Sequence, residues 1–157
     1  MKELLTMWKN EKCFKESYDV QKAFFLMSKH CQKCKPIENL DYIDFVIEIA
    51  SKTVDTNELI TIFLFKVLEN SNLSIKDLKE MDFPEETIEA VTVLFNIRKE
   101  SFWNQIELVR RNHLAKQAKM YEISVRRHLL TPKEQELDNG KLEKAFFYLS
   151  NLIDDYN

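Results

Sequence analysis

Glycine is almost missing from this chain: Gly140 is the only one in 157 residues. Tight hairpins and multi-stranded sheets turn on residues at positive φ, which glycine adopts at least cost, so such folds are disfavoured. A phosphate-cradling glycine loop is disfavoured on the same ground. Proline is nearly as scarce, with three residues at 36, 84 and 132 that read as punctuation between helices. Cysteine is sparse and odd in number, three in all with no secretory context, which reads as reduced thiols in a cytoplasmic protein. No stretch reaches the roughly 18 apolar residues that a membrane span needs. The start, Met1-Lys2-Glu3-Leu4-Leu5, lacks the apolar run and small-residue cleavage site of a signal peptide. A basic excess is missing too. The net charge is −3, against the strong positive balance of a generic nucleic-acid binder. The expectation is therefore no membrane and no nucleic acid among the partners.

What is there is a globular balance, 45% hydrophobic and 31% charged, in a length that suits one domain with a real core. Helical periodicity runs nearly throughout, without repeats, low-complexity tracts or linkers. Val20, Ala23, Phe24, Met27 and Cys31 form one stripe, and Tyr42, Phe45, Val46 and Ile49 a second. Asp55 is placed to cap the next helix, with Glu58 completing a capping arrangement. That helix, Leu59 to Leu68, is apolar nearly all round, the pattern of a central buried helix. Ser74 with Asp77 opens a short helix, and Pro84 suits the first position of another, whose buried face is Ile88, Val91, Leu94 and Phe95. Phe102, Trp103, Ile106 and Val109 mark one more, and Leu114, Ala118, Tyr121, Val125 and Leu129 a long one. Thr131-Pro132-Lys133-Glu134 combines a cap, a first-turn proline and a capping-box glutamate. Leu142, Ala145, Phe146, Leu149, Ile153 and Tyr156 close the domain. The expected fold is all-α, a single compact bundle of about eight helices with short connections, over residues 1–157.

Several segments occur together in a familiar order. Asp82-Phe83-Pro84-Glu85-Glu86-Thr87-Ile88-Glu89-Ala90-Val91 resembles the "Gly-Phe-Pro-Glu-Glu-Val-Val-Glu-Ala-Val" region of the HD-domain phosphohydrolases, with the small alarmone hydrolases of RelA/SpoT type as the nearest branch. Glu100-Ser101-Phe102-Trp103-Asn104-Gln105-Ile106 resembles that branch's "Glu-Ser-Tyr-x-x-Tyr-Ile". Asn112-His113-Leu114-Ala115 through Glu122 resembles its "Asn-Pro-Leu-Ala-x-x-Val-Lys-Leu-Ala-Asp". His30 and Tyr42-Ile43 fit the family's "Ala-His" and "Tyr-Ile-x-His-Pro" stretches, so the resemblance spans about residues 20–130.

The resemblance implies an HD-like helical domain, and in that family a His, a His-Asp pair and a later Asp hold a divalent metal. Such a metal lowers the pKa of a bound water and polarises a phosphoryl oxygen. Here the matching positions depart. The first His falls on Phe45, the His-Asp pair on Phe65 and Lys66, the following Glu-Asp on Glu69 and Asn70, and the late Asp on Glu122. Phenylalanine ligates nothing and a lysine ammonium repels a cation. The expectation is accordingly a vestigial site at Phe45, Phe65, Lys66, Glu69, Asn70 and Glu122, with no catalytic residues, metal or cofactor. In one arrangement the Lys66 ammonium takes the place of the metal, paired with Glu122 or Glu69, while the phenylalanines fill the emptied space. In the more ordinary one, Lys66 snorkels to solvent near the helix end.

Other constellations are weaker. Cys31-x-x-Cys34, with His30 and Cys13, lacks the second paired element of a zinc site and reads as ordinary thiols. His113 and His128 sit beside no nucleophile pattern and read as surface or cap residues. Basic residues gather late, among them Arg98, Arg110, Arg111 and Arg127, a distribution typical of a solvated face. Lys116, Lys119 and Arg126 are the candidate anion-binding set, because Lys119 matches a lysine of the family motif. The functional expectation is a non-catalytic HD-like domain that binds a protein partner or forms a homo-oligomer, with Trp8 or Trp103 as candidate interface aromatics. The alternative is a nucleotide or phosphate sensor using the vestigial pocket, and an active phosphohydrolase ranks last.

Overall fold

Side-chain caps cut this sequence into helices. Ser17, Asp41, Asp55, Ser74, Ser101, Asn112 and Thr131 each accept a hydrogen bond from a backbone N–H in the first turn that follows. Each satisfies one of the donors that a helix start leaves orphaned. The computed structural model describes residues 12–150, and it is all-helical, with no strand among the described residues. In order come α1 (Lys12–Glu16), α2 (Tyr18–Cys31), α3 (Tyr42–Ala50), α4 (Thr56–Glu69), α5 (Ile75–Glu80) and α6 (Glu85–Asn96). A 3-10 turn (Ile97–Lys99), α7 (Phe102–Val109), α8 (His113–Leu129), α9 (Pro132–Asp138) and α10 (Lys141–Ser150) follow.

Ten described helices exceed the expected eight or so for two local reasons. α1 is a short extra element, and the terminal region splits in two because Asn139 and Gly140 both take positive φ, 53° and 74°. This left-handed pair ends α9 and turns the chain. Two capping details also differ from expectation. Pro84 is itself the N-cap rather than the first helical residue. Glu58 does not reach back to its cap, because its carboxylate is drawn inward by Thr53 and Tyr121.

The core follows the apolar stripes. α4 packs against α2, α3, α6 and α8, and its Leu59, Phe63, Leu64 and Val67 are fully buried, as an element apolar on all sides must be. Phe24 of α2 meets Phe63 edge to face, with centroids 5.6 Å apart. α8, the longest described helix, packs on α3, α4, α6 and α10, so α3, α4 and α8 converge on one region. One buried cluster runs from Val20 to Leu149. No described helix is long and apolar enough to cross a membrane. Trp103 stands 46% exposed on α7, while Trp8, Ile153 and Tyr156 lie outside the described residues.

Candidate functional site

Because α4 is buried over most of its surface, its one lysine is nearly closed to solvent. Lys66 is 2% exposed, so snorkelling does not occur. A buried ammonium is costly unless it is paired and hydrogen-bonded. Lys66 Nζ donates to Glu69 Oε1 at 2.8 Å, one turn along α4, and to Glu122 Oε1, which α8 brings in from 56 residues away. The second Glu122 oxygen accepts from Arg126 Nε at 3.2 Å, again one turn along its helix. The rings of Phe65 and Phe45 flank the ammonium, with centroids 5.3 and 5.8 Å from Nζ, and Arg126 lies 5.0 Å from the Phe45 ring. Asn70 donates to the Tyr42 hydroxyl and to the Lys66 carbonyl, both at 2.9 Å, closing the end of α4 onto α3.

All six residues of the anticipated vestigial site therefore come together, and the internal ion pair is the arrangement that forms. The three anticipated anion-binding residues are distributed differently. Arg126 is committed to Glu122, Lys119 Nζ donates to Gln105 Oε1 at 3.0 Å, and Lys116 is buried.

The electrostatics follow from this packing. Burial alone would raise the Glu122 carboxyl, but Lys66, Arg126 and Lys119 together hold it well below the usual carboxylate range. Burial would likewise strip the Lys66 proton, yet Glu122 and Glu69 outweigh it and push the ammonium above its ordinary value. Lys119 goes the other way: burial lowers it, and Glu122 only partly offsets that. Two carboxylates and three cations thus share one region, with Lys66 bridging Glu69 and Glu122, and Glu122 bridging Lys66 and Arg126.

Little space is left. Phe65, Lys66, Lys119 and Glu122, with Ile49 and Leu94 among the apolar walls, bound a cavity of about 10 Å³. That admits about one water, whereas small-molecule pockets begin near about 300 Å³.

A second polar network escaped the sequence reading. Buried Glu58 accepts from Thr53 Oγ1 at 2.7 Å and from the Tyr121 hydroxyl at 2.6 Å, tying the start of α4 to α8. Burial and then Glu58 push the Tyr121 hydroxyl up to about 12. Glu58 sits at a capping position, and nothing in its spacing distinguishes a capping carboxylate from one that turns inward. Cys13, Cys31 and Cys34 form no disulfide, and burial pushes Cys31 up to about 12, so it stays protonated. Among the described residues no group of three or more His, Cys, Asp or Glu side chains is placed to hold a metal ion. His113 and His128 are exposed.

No family model matches the chain, and no curated protein matches it significantly.

Proposed function

We propose that this chain is a non-catalytic domain of HD-like type, a pseudo-phosphohydrolase that works as a protein-interaction or self-association module. The observation carrying this reading is the buried Lys66 ammonium between Glu122 and Glu69, walled by Phe45 and Phe65. A fixed internal cation and two aromatic rings occupy the place where the resemblance would put a metal and its imidazole ligands. The same cation disfavours any divalent ion there by direct repulsion. The roughly one-water cavity beside it opposes a nucleotide sensor at this point, because such a ligand needs about thirty times that volume.

The interaction half of the reading rests on α7 and α10. Tyr148 of α10 donates to Glu107 of α7 at 2.6 Å and accepts from Arg110, just past the end of α7, at 2.8 Å, linking the two helices by side chains. On this pair Trp103 and Phe147 remain about half exposed. Large aromatics of this kind anchor interfaces.

Sedimentation equilibrium of the full chain tests the proposal, together with a phosphate-release assay on nucleoside polyphosphates in Mn2+. The expected result is concentration-dependent association that Trp103→Ser and Phe147→Ser each weaken, with no phosphate released. A monomer at about 100 µM removes self-association in favour of a different protein partner. Metal-dependent phosphate release overturns the non-catalytic reading.

A further inference from the structure

A second opening, independent of the Lys66 cluster, lies where the last turn of α8 meets α9 and the start of α10. It encloses about 460 Å³ and is lined by Arg127, His128, Gln135, Asp138, Gly140 and Glu143 among others. That volume falls within the range of small-molecule sites. Its rim is the Asn139–Gly140 turn, where a Cβ added to Gly140 would meet nothing within 4 Å. The groove is therefore open on that side.

Arg127 is held but not satisfied. Its guanidinium carbon lies 4.3 Å from the Phe146 ring centroid, which fixes the side chain against α10. Its Nε is buried and has no hydrogen-bond partner. That Nε is shut off from the groove, so it is the rest of the guanidinium, which lines the groove, that a ligand reaches, and a carboxylate is the acceptor that pairs with it most strongly. Gln135 is already engaged, donating to the Leu130 carbonyl at 3.2 Å, and one Asp138 oxygen accepts from the Leu142 N–H at 3.2 Å. The remaining charge in the lining is Asp138 and Glu143, contributed by α9 and α10.

This mixture narrows the ligand by exclusion. A polyphosphate or other multivalent anion meets Asp138 and Glu143, and a simple cation meets Arg127. A molecule with both signs at opposite ends satisfies the lining. We infer that this groove binds a small zwitterion of the α-amino acid or dipeptide class, its carboxylate on Arg127 and its ammonium toward Asp138 and Glu143.

The test is an NMR titration of the 15N-labelled full chain with glycine, L-leucine, L-lysine, L-glutamate and glycyl-dipeptides. Saturable amide shifts confined to residues 127–143 are expected for at least one probe. Arg127→Gln should weaken that probe at least about tenfold. Arg127→Lys should recover only part of the loss, because it keeps the charge without the fork geometry. Glu143→Gln, on an exposed position, should weaken the probe without threatening the fold. Acetate and methylammonium, each carrying one half of the zwitterion, should bind at least about tenfold more weakly. Absence of saturable shifts up to about 10 mM overturns the inference. So does equal affinity in Arg127→Gln and Glu143→Gln, or acetate or inorganic phosphate binding as tightly as the zwitterion.

Discussion

The ammonium of Lys66 has two carboxylate partners and is almost closed to solvent, so the residues around it are unequal in what their loss costs. Glu122→Ala leaves Lys66 buried with only the partly exposed Glu69, and is expected to cost about 3–5 kcal/mol in urea unfolding. Lys66→Met should cost less, because Glu122 keeps Arg126 as a partner and the new side chain packs against the Phe45 and Phe65 rings. The double variant Lys66→Met with Glu122→Leu should return to within about 1.5 kcal/mol of the parent, since an apolar pair of similar volume replaces the ion pair. If the two single losses simply add in the double variant, the pair is not coupled. The pH dependence follows from the directions of the shifts. Glu122 is depressed, so its contribution is present above its unfolded value near about 4.3 and fades as pH falls through the lower folded value. Lys66 is raised, so its contribution is present below about 10.4 and fades as pH climbs through the higher folded value. Two buried groups run against these trends. Asp44, raised by burial, is relieved in acid, and Lys119, lowered by burial, is relieved in alkali. Cys31, held up to about 12, costs stability once the unfolded thiol ionises near about 8.5, so the urea midpoint should be flat between about pH 5 and 8 and decline toward acid below about pH 4 and toward alkali above about pH 8.5.

The helices themselves are largely legible in the sequence, because cap residues and apolar stripes are local signals. Asp55, Ser74 and Thr131 cap as their sequence context predicts, and Ser74 with Asp77 forms the full reciprocal box. Ser74→Ala should thus lower stability by about 1 kcal/mol. Gly140→Ala should cost a similar amount, about 1–2 kcal/mol, from backbone strain at φ 74° alone, since the added methyl meets open space. Thermal melts separate these effects from packing losses such as Phe63→Ala in α4, expected at about 3–5 kcal/mol. Choices made by tertiary partners are not legible in the same way. The fate of Lys66 depends on Glu122, which sits on another helix, and the inward turn of Glu58 depends on Tyr121. The division between α9 and α10 rests on the left-handed backbone of Asn139 and Gly140, an Asn-Gly pair that is a local turn signal outweighed in the sequence by the apolar pattern on either side of it.

At the scale of the whole molecule, α4 and α8 form a spine, and the charged cluster sits where they meet α3. The Lys66 cluster is enclosed there, while Trp103 on α7 and Phe147 on α10 stay about half exposed. Its proposed role depends on the Lys66 ammonium permanently holding the space between Glu122 and Glu69. The direct test is an NMR titration of the Glu122 and Glu69 side-chain carboxyls against pH, repeated with Mg2+ and with Zn2+. Glu122 is expected to stay ionised well below the usual carboxylate range, and neither metal is expected to shift its signal. A Glu122 carboxyl that titrates near about 4.3, or that shifts together with Glu69 when metal is added, would contradict a permanent internal cation.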